Sequence, residues 1–505
     1  MHRRKSIKSQ SRIARTVPAA PRNSISQRVA AHESNSTDES LILTPSHMES
    51  VLIEPFFLGC LSHASYMVSS DGIAAVIDPQ RDVDVYLDAA EQKGLEIRHV
   101  IETHLHADFV SGHRELAERT GAQIYLGDGC RATFPHSSVR DGDSIEFGRC
   151  RLDFMQTPGH SLESICIVLT DLDKPSRPRA LFTGDTLFVG DVGRPDLSHA
   201  HTPHELAALL YTSLHEKILK LPEETEFFPA HRAGSLCGRQ MSPDCSSTLG
   251  RERRFNYALQ AGSSEDFVQL LTGSFPPRPE YFSRDVELNR QGAVPLNQLP
   301  PAAPARAAEF SRMQLDGAIA VDTRPTAQFA AALVPGALHI GLTGQYASWA
   351  ARLLGLNQRI ILIAEDADRV RESQQRLARV GIEKVEAYLE GGISGWIAGN
   401  YKPDVMRQMS VNELAEVLER QDRQITVLDV RESGEIEAGA IPSSVRIPLG
   451  QLEARTGELD PSKLIVVHCK SAYRSSIATS ILRRAGFREI ANLTGGYDAW
   501  KAAGN

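Results

Sequence analysis

Residues 102–113, ETHLHADFVSGH, crowd His104, His106, Asp108 and His113 around one short apolar stretch. Imidazoles and carboxylates are what metal ions of intermediate softness take as ligands. Three further stretches add to the set: His160 in TPGHS, Asp185 in TGDT and His231 in PAHRAG. A lone histidine is usually structural, but T-H-x-H-x-D followed by T-P-G-H-S and T-G-D points to a metal centre assembled from separate segments. A second chemistry lies near the end of the chain. In VVHCKSAYRSS (466–476) Cys469 follows an apolar run and precedes a helical one, where loop N–H groups and a helix N-terminus favour the thiolate. Arg474 is placed to close an anion pocket around a sulfonate or a charged persulfide, and Lys470, Ser471, Ala472 and Tyr473 are the loop residues expected to line it. Cys237, in GSLCGR, either approaches the metal site or is a small buried hydrophobe, the second being the preferred reading.

Such residues need rigid elements behind them. Between residues 50 and 265, the runs YMVSS, AAVIDP, HVIETH, QIYLG, FMQTPG, SICIVLT and ALFTGD read as strands, and the His- and Asp-bearing loops follow their ends. The last two hundred residues repeat themselves. AVDTRPTAQFAAALVPGALHI (320–340) parallels LDVRESGEIEAGAIPSSVRIPL (428–449), and LEGGISGWIAGN (389–400) parallels LTGGYDAWKAAGN (493–505). Asp322 and Asp429 lie 107 apart, Trp396 and Trp500 104 apart, so the repeat is a whole domain. Each copy alternates apolar strands with amphipathic helices, the pattern of an α/β domain with a largely parallel sheet. The expected division is a basic segment without structure over 1–49, a metal domain over 50–265, an extension and linker over 266–302 in which the Pro/Ala-rich PLNQLPPAAPARAA begins, and two α/β domains over 303–404 and 405–505. The first copy has LIAEDADRVRES where the second has VVHCKSAYRSS, so Glu365 or a neighbour stands in place of the cysteine and an acidic loop faces any anionic donor. Arg324 and Trp396 are then structural.

The metal motifs resemble those of the metallo-β-lactamase superfamily, an αββα sandwich whose dinuclear members use T-H-x-H-x-D-H. Here the last histidine of that motif is Phe109, which cannot ligate. Intact are His104, His160 and Asp185, two imidazoles and one carboxylate, the facial triad of non-haem Fe(II) oxygenases. The set looks like that of the persulfide dioxygenases, a branch of the superfamily. This resemblance implies one Fe(II) per chain held by those three residues. It also implies Arg194, in DVGRPDL, near a thiol substrate, where its guanidinium would suit a carboxylate. His106, Asp108 and His231 would stand around the metal, orienting ligands or water or serving a second metal position. The six-position loop CKSAYR resembles that of rhodaneses; the phosphatase loop C-x5-R is one residue longer. LDVRE, GAIPSSVRIPL and LTGGYDAW extend this resemblance over nearly all of 407–505.

The order of modules resembles persulfide dioxygenase–rhodanese fusions of sulfide detoxification, with an inactive rhodanese-like domain in the middle. It implies oxidation of a low-molecular-weight thiol persulfide, such as glutathione persulfide, by O2 to sulfite and thiol, with Cys469 carrying sulfane sulfur between thiosulfate and persulfide. The rival readings are a zinc hydrolase of the glyoxalase II type acting on a thiolester, and a non-catalytic scaffold. A net charge of -8 argues against nucleic acid as partner for the chain as a whole, although the first 32 residues carry eight Lys/Arg and no Asp/Glu. That segment reads either as a mitochondrial presequence or as a disordered tail, so the expected location is the cytoplasm, or the mitochondrial matrix if it is a presequence. Seven cysteines without a framework suit a reducing compartment. No apolar run is long enough to span a bilayer, so no membrane partner is expected, and the chain is expected to be a homo-oligomer.

Overall fold

A computed structural model describes residues 50–197, 201–273, 278–355, 358–420 and 424–504, so the basic N-terminal segment lies outside the described residues. Two six-stranded sheets build the first domain. One runs in chain order across its width: β1 (Leu52–Leu58), β2 (His63–Ser70), β3 (Ile73–Ile77), β4 (Glu96–Ile101), β5 (Gln123–Gly127) and β6 (Ser137–Val139), antiparallel as far as β3 and parallel beyond it. The other contains β7 (Ser144–Phe147), β8 (Cys150–Gln156), β9 (Ile165–Asp171) and β10 (Ala180–Gly184), a separate hairpin β11 (Leu187–Phe188) and β12 (Asp191–Val192) lying beside it. β13 (Glu226–Pro229) and β14 (Ser247–Thr248) complete it in the order β14-β13-β10-β9-β8-β7. Successive side chains of a strand point to opposite faces. In β9, Ile165, Ile167 and Leu169 therefore meet Tyr66 and Val68 of β2 between the sheets, while Cys166 and Val168 face outward. Helices α1 (Asp84–Lys93) and α2 (His113–Thr120) cover the first sheet, and α3 (Pro203–Thr212), α4 (Leu249–Phe255) and α5 (Ser264–Thr272) the second, which makes an αββα sandwich.

α6 (Tyr281–Gln291) leads into two further domains of identical topology. The first comprises β15 (Ala303–Ala305), α7 (Ala307–Leu315), β16 (Ile319–Asp322), α8 (Thr326–Ala331), β17 (Leu338–His339), α9 (Tyr346–Leu353), β18 (Ile360–Ile363), α10 (Ala367–Ala378), β19 (Val385–Leu389) and α11 (Gly392–Ala398). The second comprises β20 (Arg407–Met409), α12 (Val411–Glu419), β21 (Ile425–Asp429), α13 (Ser433–Glu437), β22 (Val445–Arg446), α14 (Leu452–Arg455), β23 (Leu464–His468), α15 (Tyr473–Arg484), β24 (Ile490–Leu493) and α16 (Gly496–Ala502). Both sheets are parallel, ordered β15-β19-β18-β16-β17 and β20-β24-β23-β21-β22. Their central strands are apolar throughout, IILI and LIVVH, because helices cover both faces. The duplication reaches single ion pairs: Arg324 grips Asp322 and Arg431 grips Asp429, each through Nε at 2.9 Å.

The stretch 266–302, expected as extension and linker, is packed against its neighbours. α5 packs into the second sheet's helical layer and α6 into the core shared with the later domains. The end of the Pro/Ala-rich run forms β15, an edge strand where Pro304 is tolerated because one side of the strand needs no ladder bond. One apolar cluster then runs from Leu61 and Phe109 of the first domain through Phe282 and Trp349 to Val467 and Ile477 of the last. Polar contacts reinforce the first junction: Gln375 and Arg379, at the end of α10, both bond Asp82, and the Val110 N–H donates to the Arg379 carbonyl at 2.8 Å. Among the described residues no helix is long and apolar enough to cross a membrane.

Candidate functional site

His104 follows β4 of the first sheet, His160 lies between β8 and β9 of the second, and Asp185 follows β10, so loops from both sheets of the sandwich bring all three together. Their ligand atoms lie within 4.8 Å of one another, with Asp185 Oδ2 at 3.8 Å from His104 Nε2 and 3.4 Å from His160 Nε2. All three atoms are buried and lack a hydrogen-bond partner, which is what a cation-binding set looks like without its cation. The other ring nitrogens are engaged. His160 Nδ1 donates to the Arg194 carbonyl at 3.1 Å. His104 Nδ1 donates to Thr103 Oγ1 at 3.0 Å, since that hydroxyl gives its own proton to Asp78 Oδ2. Both rings are thereby held as tautomers whose Nε2 lone pairs face the gap. Burial pushes the pKa of both imidazoles down, well down for His104. Burial would raise that of Asp185, but the imidazoles of His231, His104 and His160 outweigh it and hold the carboxyl well below its usual range. Two neutral imidazoles and one carboxylate result, the protonation state that ligation requires.

Gly193, in the DVGRPDL loop, makes this convergence possible. A Cβ there would lie 1.9 Å from the Asp185 carbonyl oxygen and 2.9 Å from His160 Nδ1. Arg194 is placed differently from what the resemblance implied. It is 1% exposed, its guanidinium holds both oxygens of Asp196 at 2.6 and 2.8 Å, and its carbonyl orients His160.

His231, Asp108 and His106 lie next to the triad. His231 Nδ1 bonds Asp185 Oδ1 at 2.7 Å, and its Nε2 lies 3.0 Å from Asp108 Oδ2. Burial opposes its protonation, but the Asp108 and Asp185 carboxylates raise its pKa to about 10. One oxygen of Asp185 is thereby fixed while the other faces the gap. His106 directs its Nε2 elsewhere, 3.2 Å from both Asp78 and Glu102, while its ring packs against that of His104 at 4.2 Å between centroids. Cys237 is buried, and of its two readings the structure places it close to the site: its sulfur joins Asp108 and His231 in a second buried group within 4.8 Å. Burial, with Asp108 and Asp185 nearby, pushes this thiol's pKa well up. The Phe109 ring is fully buried, 4.1 Å from the His63 ring and 4.4 Å from that of His106 between centroids, and belongs to the core that runs into the next domain.

Sequence reasoning missed α6. A cavity of about 490 Å³ opens beside His160, and Phe282, Val286 and Arg290 of α6 form one wall opposite Leu105 and Leu162. From the same helix Asn289 donates to the carbonyls of His106 and Phe109 and accepts from the Ser111 N–H, each at 2.8 Å, bracing the ligand loop. Apolar residues four apart in YFSRDVELNRQ are the only sequence signal for it.

Cys469 directly follows β23 with 1% exposure, and its loop closes onto α15 through Ala472 at φ 77°, a left-handed conformation unfavourable for an L side chain. The carbonyls of Cys469 and Lys470 accept from the N–H groups of Tyr497 and Asp498 in α16. Arg474 differs from expectation. Both its terminal nitrogens bond Glu435 of α13 at 2.6 Å, so the guanidinium is committed to a carboxylate. Lys470 and Ser471 are exposed beside the thiol. In the first copy, β18 passes directly into α10 through Ala364, Glu365 and Asp366, with Asp366 capping the helix N-terminus, so the space of the anion loop is used for capping.

The sequence profile of the metallo-beta-lactamase superfamily matches residues 58–231, and that of the rhodanese-like domain matches 306–399 and 410–503. The chain is 31% identical over 241 residues to the mitochondrial persulfide dioxygenase ETHE1 of Bos taurus, across 45% of this chain and 82% of that protein. It is 34% identical over 241 residues to a hydroxyacylglutathione hydrolase of Rhodospirillum rubrum, across 42% of this chain and 87% of that protein. A crystal structure described as a metallo-beta-lactamase from Staphylococcus aureus superposes with a TM-score of 0.60 at 30% identity, covering 67% of this chain and 99% of that one. The chain therefore belongs to the metallo-beta-lactamase superfamily, as a fusion of one such domain, homologous to the ETHE1 persulfide dioxygenases, with two rhodanese-like domains.

Proposed function

We propose that the first domain oxidises a low-molecular-weight thiol persulfide with O2 and that Cys469 exchanges sulfane sulfur with the products. The overall balance is RSSH + O2 + H2O giving RSH, sulfite and two protons. The observation that carries this reading is the triad of orphaned atoms, His104 Nε2, His160 Nε2 and Asp185 Oδ2, in a site where Phe109 withholds a histidine from the second position. Such a set suits one Fe(II), which would supply activation of O2 and leave coordination positions for reactants. The protein's own contribution is definite. His231 clamps Asp185, Thr103 and the Arg194 carbonyl set the two imidazoles, and the cavity walled by α6 receives the thiol part of the substrate. In the last domain the Cys469 thiolate would attack the outer sulfur of thiosulfate, expelling sulfite with the electrons of the broken S–S bond, and pass the sulfur to a thiol; the reverse direction makes thiosulfate from sulfite. Two such sites on one chain raise the local concentration of shared products.

The test is anaerobic purification, metal analysis and oxygen uptake with glutathione persulfide, comparing the natural chain with Asp185→Ala and Cys469→Ser. The expected result is about one iron per chain, as a facial triad binds, and uptake that survives Cys469→Ser but is lost in Asp185→Ala. A zinc-filled site that consumes no oxygen after reconstitution with iron, and that hydrolyses a glutathione thiolester, would replace this reading with the hydrolase chemistry of the Rhodospirillum relative.

A further inference from the structure

The first rhodanese-like domain has no cysteine loop, yet it touches the loop of the second at close range. α15, the helix that follows Cys469, is buried from Ser475 to Leu482. One of its sides lies on β17: the His339 N–H donates to Ser480 Oγ at 3.0 Å, and Ser476 Oγ donates to His339 Nδ1 at 2.9 Å, because His339 Nε2 gives its proton to the Arg324 carbonyl. At the N-terminus of α15 the contact reaches the loop itself. Tyr473 OH donates to the Gly341 carbonyl at 2.8 Å. Its ring lies flat against Gly344, where a Cβ would come 2.3 Å from the ring's Cζ. Arg376 of α10 fixes that segment from the other side by bonding the carbonyls of Leu342 at 2.5 Å and Gly344 at 3.0 Å. Tyr473 directly follows Ala472, whose left-handed backbone persists only if its surroundings over-determine it.

We propose that the cysteine-less domain is the second half of the Cys469 site: its Gly341–Gly344 segment, held by Arg376, clamps Tyr473 and so keeps the strained turn of the Cys469 loop in its working shape. The proposal rests on the reading of Cys469 as a sulfur carrier. Tyr473 is then a positioning residue, acting through the loop backbone, and the middle domain supplies one wall of a site whose nucleophile belongs to its neighbour. This accounts for the presence of a glycine at 344 that no sulfur chemistry of the middle domain requires.

The experiment compares the full chain with Gly344→Ala and Tyr473→Phe in sulfur transfer from thiosulfate to cyanide, and in the rate at which iodoacetamide alkylates Cys469, followed by mass spectrometry of its peptide. In Gly344→Ala the added methyl displaces the ring, and kcat should fall about 10- to 100-fold, the cost of a misplacement near 1 Å. KM for thiosulfate should stay within about twofold, the mark of lost positioning without lost binding. Alkylation of the loosened, more exposed thiol should quicken at least about threefold. Tyr473→Phe keeps the ring and loses only the bond to Gly341, so its kcat should fall by a smaller factor of about 2 to 5. Wild-type kcat and alkylation rate in both variants overturn the positioning role; if Gly344→Ala does not fold, an unchanged Tyr473→Phe overturns it alone. Absence of transfer in the natural chain overturns instead the reading of Cys469, and the alkylation rates still judge the clamp.

Discussion

In the proposed reading, a phenylalanine limits the first domain to one metal position. Phe109 sits among His63, His106 and His231 and is packed from behind by the core, so neither its chemistry nor its mobility offers a ligand. Asp108, His231 and Cys237 remain as an incomplete second group. Phe109→His should therefore raise metal content above that of the natural chain, measured by elemental analysis. It should also destabilise the fold by about 1–3 kcal/mol, because a polar ring enters an apolar core; unchanged stoichiometry would show that the pocket cannot reorganise around a second ion. Glu102 gives a pH-dependent counterpart. Burial would raise its pKa, but His106 and His113 lower it to about 2 from an ordinary 4.5. A depressed carboxyl stabilises the fold fully above its unfolded value and loses that contribution as pH falls through the folded one. Glu102→Gln should thus flatten the acid limb of the stability curve between pH 4.5 and about 2, as read by denaturant titrations at each pH.

At the scale of elements, α6 carries more of the first domain's site than its position in the chain suggests. It walls the cavity with Phe282, Val286 and Arg290, and its Asn289 satisfies three backbone groups of the ligand loop. Asn289→Ala leaves two buried carbonyls and one N–H without partners, which should cost about 1–3 kcal/mol. Since those groups lie at His106, Phe109 and Ser111, the loop should also release its metal more readily to a chelator. Equal release rates for the variant and the natural chain would confine Asn289 to stability. None of this was legible beforehand: YFSRDVELNRQ has the period of an ordinary amphipathic helix, and periodicity reports which face is buried without saying against what.

For the whole molecule, the two rhodanese-like domains share an apolar core in which Leu338 and Trp349 of one join Ile477 and Ile481 of the other. Residues 405–505 expressed alone would expose the side of α15 that β17 covers. Their melting temperature should therefore lie at least about 5 °C below that of the full chain, since 1 kcal/mol moves a domain of this size by about 4–8 °C. A single domain melting with the full chain in calorimetry would mean that the shared core adds nothing to its stability. The same contacts explain why the duplicated domain persists without a cysteine. Its helices and strands still complete its neighbour's packing, and through Gln375 and Arg379 they hold Asp82 and the Val110 backbone in the metal domain.

By itself the sequence determined a strand-rich first region, the duplicated α/β domains, the candidate metal ligands His104, His160 and Asp185, and a cysteine, Cys469, between a strand and a helix, because these follow from local patterns, while the αββα sandwich followed from the resemblance of its motifs to the metallo-β-lactamase superfamily. Only the tertiary structure decided how the charged and unusual residues are spent. Arg194 and Arg474, read as substrate-facing, are matched to Asp196 and Glu435. Cys237, which the sequence left between a neighbour of the site and a buried hydrophobe, stands beside His231 and Asp108, and Tyr473 leans on another domain. The reason is physical. A guanidinium or a thiol has the same sequence signature whichever partner it meets, and the partner is chosen by long-range packing, which no local spacing encodes.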